Sequence, residues 1–367
     1  MASNPYVGLP HRALWSRGVA RRYDPSDVVT SSGPLLRTGD RVASMGSCFA
    51  SNIVPHIEAA GITYLRMEEP PPQVAMLPEN LGYRNFSAAY GNVYTARQMR
   101  QLIERCTGTF RPQEDRWHED GKVIDPFRPG LAYPAANDIE FDVITTAHLA
   151  ATREAFATAD VVVLTLGLTE GWESTLDGAV FPTCPGTVAG TFDPVRHRFH
   201  NFTAAEVVDD LCATVDGVTA INPHARFIVT VSPVPLVATA SGRHVLEATI
   251  YSKSVLRVAA DGVEQAREAV TYFPAYEIVT GPQAPESFFE ADRRSVSDEA
   301  IHSVMGALLA TSDVSLPVTP VAVETDGVAP TVADISRRIA EAECDEALLD
   351  PTAYLGDAPA PDPPAAG

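Results

Sequence analysis

The stretch VASMGSCFASNIV, residues 42–54, sets Ser47 beside Cys48 directly after an apolar run that ends in Gly46. Both side chains can act as nucleophiles. A thiol in the first turn of a helix is the stronger candidate, because unpaired backbone N–H groups and the helix dipole lower its pKa and raise its thiolate fraction. The same N–H groups can hold a developing oxyanion, so the pattern points to acyl transfer. The opposing reading makes Ser47 a helix cap and Cys48 a small buried residue, and the local sequence leaves both open.

Other residues could serve the same chemistry. Gly91-Asn92 in AAYGNVYT offers a side-chain amide as an oxyanion donor, although Gly-Asn is also ordinary turn chemistry. Gly167, Leu168, Thr169 and Glu170 follow the apolar run DVVVLTL, Ser232 and Pro233 follow RFIVTV, and Tyr276 and Glu277 follow the run at 270–273. Asp292 could orient a catalytic group or cap the turn before the next helix.

These residues act together only if the fold gathers them. Residues 41–45 form a short apolar run, Phe49, Ile53, Val54 and Ile57 recur at helical spacing up to Gly61, and 62–65 can be the next strand. DVVVLTL at 160–166 is apolar without alternation, as in a parallel strand covered on both faces, and RFIVTV at 226–231 repeats the pattern. Helical periodicity runs over 203–218, 252–269 and 298–310. The alternation predicts an α/β fold, a three-layer α/β/α sandwich with a mainly parallel sheet. Ligands bind such sheets beyond the carboxyl ends of the strands, where the residues named above fall.

The expected organisation is an irregular N-terminal arm over 1–39, an α/β domain over 40–316, and a C-terminal extension over 317–367. Residues 68–133 form an irregular insertion placed over the site, with a helix at 95–105. The extension carries one amphipathic helix at 332–349 and a Pro- and Ala-rich tail too poor in apolar area to order.

Composition removes several function classes. With 27 Lys and Arg against 47 Asp and Glu, the net charge of −20 would repel phosphate backbones and anionic membranes, so no nucleic-acid or membrane partner is expected. No stretch approaches a transmembrane span, and residues 1–10 lack the blocks of a secretory signal, so a cytoplasmic protein is expected. The five cysteines are scattered without a CxxC pair or a histidine at ligand spacing, which indicates neither a disulfide framework nor a metal site. No cofactor is expected.

Taken together, the motifs resemble the GSCFA family, a relative of the SGNH (GDSL) hydrolases. The name motif stands at Gly46 to Ala50, followed in order by GNVYT (91–95), DPFRP (125–129), TLGLTEGW (165–172), SPVPL (232–236), YSKSVLR (251–257) and YFPAYEIVT (272–280). The resemblance implies a flavodoxin-like α/β/α core and a reaction at an ester or related acyl group of a small-molecule or carbohydrate substrate. It places Ser47 on the family relative's aspartate and Cys48 on its nucleophilic serine. Gly91 and Asn92 fall on the oxyanion side, and Gly167 to Glu170 on the Gly-x-Asn-Asp block, with Thr169 where an amide donor would stand. The Asp-x-x-His pair becomes Asp292, Arg293, Arg294 and Ser295, so the base is missing from its usual place. His244, after the fourth strand and just before a helix, is the candidate replacement, with a surface histidine as the alternative. A protein that had lost this histidine could instead be a non-catalytic ligand- or partner-binding module on the same scaffold.

Overall fold

The computed structural model describes residues 4–71, 83, 85–131 and 133–314, and for Cys48 and Ser51 the backbone alone. In chain order the elements are β1 (Arg41–Gly46), α1 (Cys48–Asn52), α2 (Val54–Ala59), β2 (Thr63–Tyr64), α3 (Ala96–Thr107), β3 (Trp117–Glu119), β4 (Lys122–Ile124) and α4 (Asp138–Thr158). Then follow β5 (Val161–Leu166), β6 (Glu170–Ser174), β7 (Val180–Phe181), β8 (His197–Asn201), α5 (Ala204–Ile221) and β9 (Arg226–Val231). The described chain closes with α6 (Val245–Ala266), β10 (Val270–Phe273), α7 (Ala275–Thr280) and α8 (Asp298–Ala310).

The apolar runs of β5 and β9 are buried on both faces, and five strands pair in parallel in the order β2-β1-β5-β9-β10. This is the flavodoxin-like arrangement, two βαβ halves meeting where the order reverses beside β1. Alternate residues sort the core into two layers. Ala43, Met45, Val162, Leu164 and Val229 meet Leu102, Leu211 and Leu256 on one face. Val42, Val161, Val163 and Ile228 meet Phe49, Ile57, Ile278 and Val304 on the other. The result is an α/β/α sandwich.

The arm contributes to the second layer. Val29, Leu35 and Leu36 are buried in it, and Leu35 and Leu36 donate their amides to Thr311 and Ser312 at the end of α8. The helical pattern after β1 is split in two at Ile53. Pro55 has no N–H to give to the preceding turn and its ring crowds it, so α1 stops after five residues and α2 starts anew. Within the inserted 68–133 stretch lie α3 and the β3–β4 hairpin. A separate antiparallel sheet, β7-β6-β8, grows from the end of β5. The amphipathic helix at 332–349 and the tail lie outside the described residues, as do 72–82 of the insertion.

Candidate active site

Gly46 ends β1 because nothing larger fits: a Cβ there would stand 2.5 Å from the Thr165 carbonyl oxygen and 2.7 Å from its Cβ. The chain then turns at Ser47 into α1, whose first residue is Cys48. The turn lies at the carboxyl end of the sheet, with Gly46 in register with Thr165 and Thr165 with Thr230. The Ser47 hydroxyl is buried and finds no hydrogen-bond partner among the described residues, so it does not cap α1. Thr165 Oγ1 and Thr230 Oγ1 share that condition.

β2 pairs with only the first two residues of β1, which leaves the rest of that edge to another segment. Residues 85–95 take it. Ser44 N donates to Ser87 Oγ at 3.1 Å, the Tyr90 hydroxyl donates to the Ser44 carbonyl, and Val93 N donates to the Gly46 carbonyl at 2.9 Å. Gly91 sits at φ +67°, a conformation that favours glycine, and the turn it makes lays buried Asn92 and Val93 beside the Ser47–Cys48 turn.

The next residues tie in the third segment. The Tyr94 carbonyl accepts from Gly167 N at 3.2 Å and Leu168 N at 2.9 Å. A Cβ on Gly167 would meet the Tyr94 oxygen at 3.0 Å and Ser47 Cβ at 3.3 Å, so the end of β5 is in van der Waals contact with the turn. Gly46–Cys48, Gly91–Asn92 and Gly167–Thr169 are therefore brought to one place.

Supporting groups hold these segments. Thr169 donates its hydroxyl proton to Asn201 Oδ1 at 2.7 Å and its amide to Ser252 Oγ at 2.9 Å. Lys253, 1% exposed, donates from Nζ to the Gly167 carbonyl at 2.7 Å. Glu170 is half-buried, and burial raises its carboxyl above the usual range against a hydrogen bond from Thr239 Oγ1 at 2.7 Å. Asn201 carries no sequence signal, while Ser252 and Lys253 stand in the YSKSVLR motif, to which the sequence assigns no role. The available signal was a lysine and a serine inside the apolar stripe of α6, flanked by buried Ala248, Val255 and Leu256.

Two expected residues, Asp292 and His244, are exposed and make their hydrogen bonds locally. Asp292 forms a closed turn with the serine that replaces histidine: its carboxylate accepts from Arg294 N and Ser295 N, each at 2.9 Å, and from Ser295 Oγ at 2.6 Å. Burial pushes its pKa up, but these bonds outweigh burial and hold it below the ordinary value. His244 is exposed and is the N-cap of α6, where Nδ1 accepts from Leu246 N at 3.2 Å.

A second polar cluster lies under the insertion. Arg128 bridges Glu68, at 3.1 Å, and Asp125, at 2.9 Å, while Glu68 also accepts from Ala89 N and from His148 Nδ1, each at 2.7 Å. Burial and the Arg128 charge push the His148 pKa down, so the ring is neutral at pH 7 and its Nδ1–H donates. Glu68 is held down to about 2: burial raises it, and His148, Arg128 and the Ala89 amide overcome that. His148 and Arg105 also line a cavity of about 20 Å³, room for one water molecule. Among the described residues no group of acids, histidines or cysteines could hold a metal ion, and no helix is long and apolar enough to cross a membrane.

Comparison with known proteins finds no match among curated sequences. Among solved structures, a carbohydrate esterase family 3 protein from Talaromyces cellulolyticus aligns over 73% of this chain and 94% of its own, at 10% identity and a TM-score of 0.35. A carbohydrate esterase family 2 enzyme with a carbohydrate binding domain, from Corynascus thermopiles (Myceliophthora fergusii), aligns over 77% and 68%, at 14% identity and a TM-score of 0.29. The GSCFA family's sequence profile matches residues 41–308, from the first residue of β1 into α8, and the chain belongs to the GSCFA family.

Proposed function

We propose that the protein is an acyl-processing enzyme, an ester hydrolase or acyltransferase acting on a small molecule or carbohydrate, with Cys48 as the nucleophile. One observation carries the reading: the Val93 amide on the Gly46 carbonyl and the Gly167 and Leu168 amides on the Tyr94 carbonyl draw three separate segments around one turn at the carboxyl end of a parallel sheet. In this reading the Cys48 thiolate attacks the substrate carbonyl. The Cys48 backbone N–H and the Asn92 amide receive the oxyanion, and water or an acceptor alcohol resolves the acyl-enzyme. The unpartnered hydroxyls at Ser47, Thr165 and Thr230 leave polar capacity that a bound substrate could use.

A second reading has an observation of its own. The Asp292–Ser295 turn satisfies itself and His244 caps a helix, as expected of a binding module that has given up the hydrolase triad. Iodoacetamide labelling, followed cysteine by cysteine by peptide mass spectrometry, separates the two. Burial raises the Cys106 and Cys184 thiols to about 11 and also raises Cys212, so these are slow internal standards. The enzyme reading expects Cys48 to label at least ~10-fold faster than these at pH 7. Labelling at their rate favours the binding module.

A further inference from the structure

We propose that Lys253 is the acid–base group of this site, doing the work that a histidine would do at position 295. The inference rests on the reading of Cys48 as nucleophile and adds the partner that reading lacks. Lys253 comes from the apolar face of α6, is buried, and places Nζ 2.7 Å from the Gly167 carbonyl. Gly167 is itself packed against Ser47, so the amine is bonded to a residue that touches the turn carrying Cys48. Ser252, its neighbour in sequence, holds the Thr169 amide and fixes the loop from the same helix turn.

The need for such a group follows from the break at Pro55. A five-residue α1 supplies a much smaller dipole than the single long helix its apolar spacing suggests, so less of the thiolate's stabilisation can come from the helix. An amine on a flexible stem, desolvated beside a nucleophile, is a common general base.

The steps balance with no further reagent. The Cys48 thiol gives its proton to Nζ, and the sulfur forms a bond to the carbonyl carbon as the carbonyl electron pair moves to oxygen. Collapse of that oxyanion breaks the bond to the leaving alcohol, which takes the proton back from the ammonium. The neutral amine then removes a proton from water or an acceptor hydroxyl as its oxygen attacks the thioester. The C–S bond breaks, and the departing sulfur recovers the proton.

The test uses the full chain as Lys253→Arg and Lys253→Met, with p-nitrophenyl acetate as the probe, iodoacetamide labelling of Cys48, and thermal unfolding to confirm the fold. A guanidinium keeps its proton and can take none from the thiol or from water, so Lys253→Arg should slow Cys48 labelling and drop turnover ~10²-fold or more. Lys253→Met should lose turnover to a similar extent and slow the labelling as well. Either folded variant decides alone: turnover within ~3-fold of the parent in either one overturns the proposal, as does lost turnover in Lys253→Arg with Cys48 labelling at the parent rate. Full turnover in Cys48→Ala would sink the nucleophile itself, whereas an inactive Cys48→Ala beside active Lys253 variants sinks only the lysine.

Discussion

The two polar clusters on the insertion's side of the sheet are built on opposite plans. Between the insertion and α4, Glu68, Arg128, Asp125 and His148 satisfy one another with charge-assisted bonds of 2.7–3.1 Å, all four buried. At the carboxyl end of β1, β5 and β9, small residues leave three buried hydroxyls without partners among the described residues, around a turn too tight for anything but glycine. A satisfied network fixes a structure, because any change leaves a charge stranded. An unsatisfied one costs stability in the resting protein and is therefore expected where a ligand completes it. The ion cluster anchors the segment that carries Asn92, and the loose end of the sheet receives it.

Arg128→Met gives the largest break of that contrast. It strands two buried carboxylates, and the expected loss is about 3–5 kcal/mol in urea unfolding. A loss below ~1 kcal/mol would mean that the cluster does not hold the insertion.

pH gives a smaller handle on the same cluster. His148 has a folded pKa below its ordinary 6.5, so the unfolded chain binds the proton that the folded chain refuses, and stability falls as pH drops below about 6.5. Glu68, held at about 2 against an ordinary 4.5, contributes stability above about 4.5 that is lost as pH falls from there towards 2. His148→Gln should flatten the upper window, worth at most about 1.4 kcal/mol per pH unit, and narrow the lower one, because His148 is among the groups that hold Glu68 down. The slope falls without vanishing, because burial and His302 also lower His56. An unchanged slope between pH 6.5 and 5 contradicts the assignment of a neutral buried ring.

The smallest effect has the opposite sign. Thr165→Val keeps the shape and removes a hydroxyl that bonds to nothing, so the protein should gain up to ~1 kcal/mol. A loss of that size would show that the hydroxyl has a partner in solution, and the contrast between the clusters would weaken.

Most of the parallel core was legible in the sequence because β5 and β9 are continuous apolar runs and α5, α6 and α8 are periodic. The runs at 41–45, 160–166, 226–231 and 270–273 are β1, β5, β9 and β10. The 21-residue α4 was not legible: Ile139 and Val143 face solvent while His148 and Thr152 are buried, so its apolar residues do not mark its inner face. β6–β8 escaped for a related reason, since EGWES and HRFHN are polar strands held by cross-strand pairing that local sequence does not encode. At the site, the turn residues could be read from their motif and their place after a strand. Lys253 could be read from the YSKSVLR motif as a residue of the family pattern but not given a role, because only tertiary packing tells a lysine buried on an apolar face from one whose stem reaches past it to water.

The contrast rests on Cys48 being the group that the unsatisfied end of the sheet serves. Rapid quenching of the protein with p-nitrophenyl acetate, followed by peptide mass spectrometry, tests that most directly. The account predicts an acetyl group on the Cys48 peptide within the first turnover, and a Cys48→Ala protein that is folded and at least ~10³-fold slower. A Cys48→Ala protein that turns over at the parent rate, with no acetyl group on Cys48 in the parent, would contradict it.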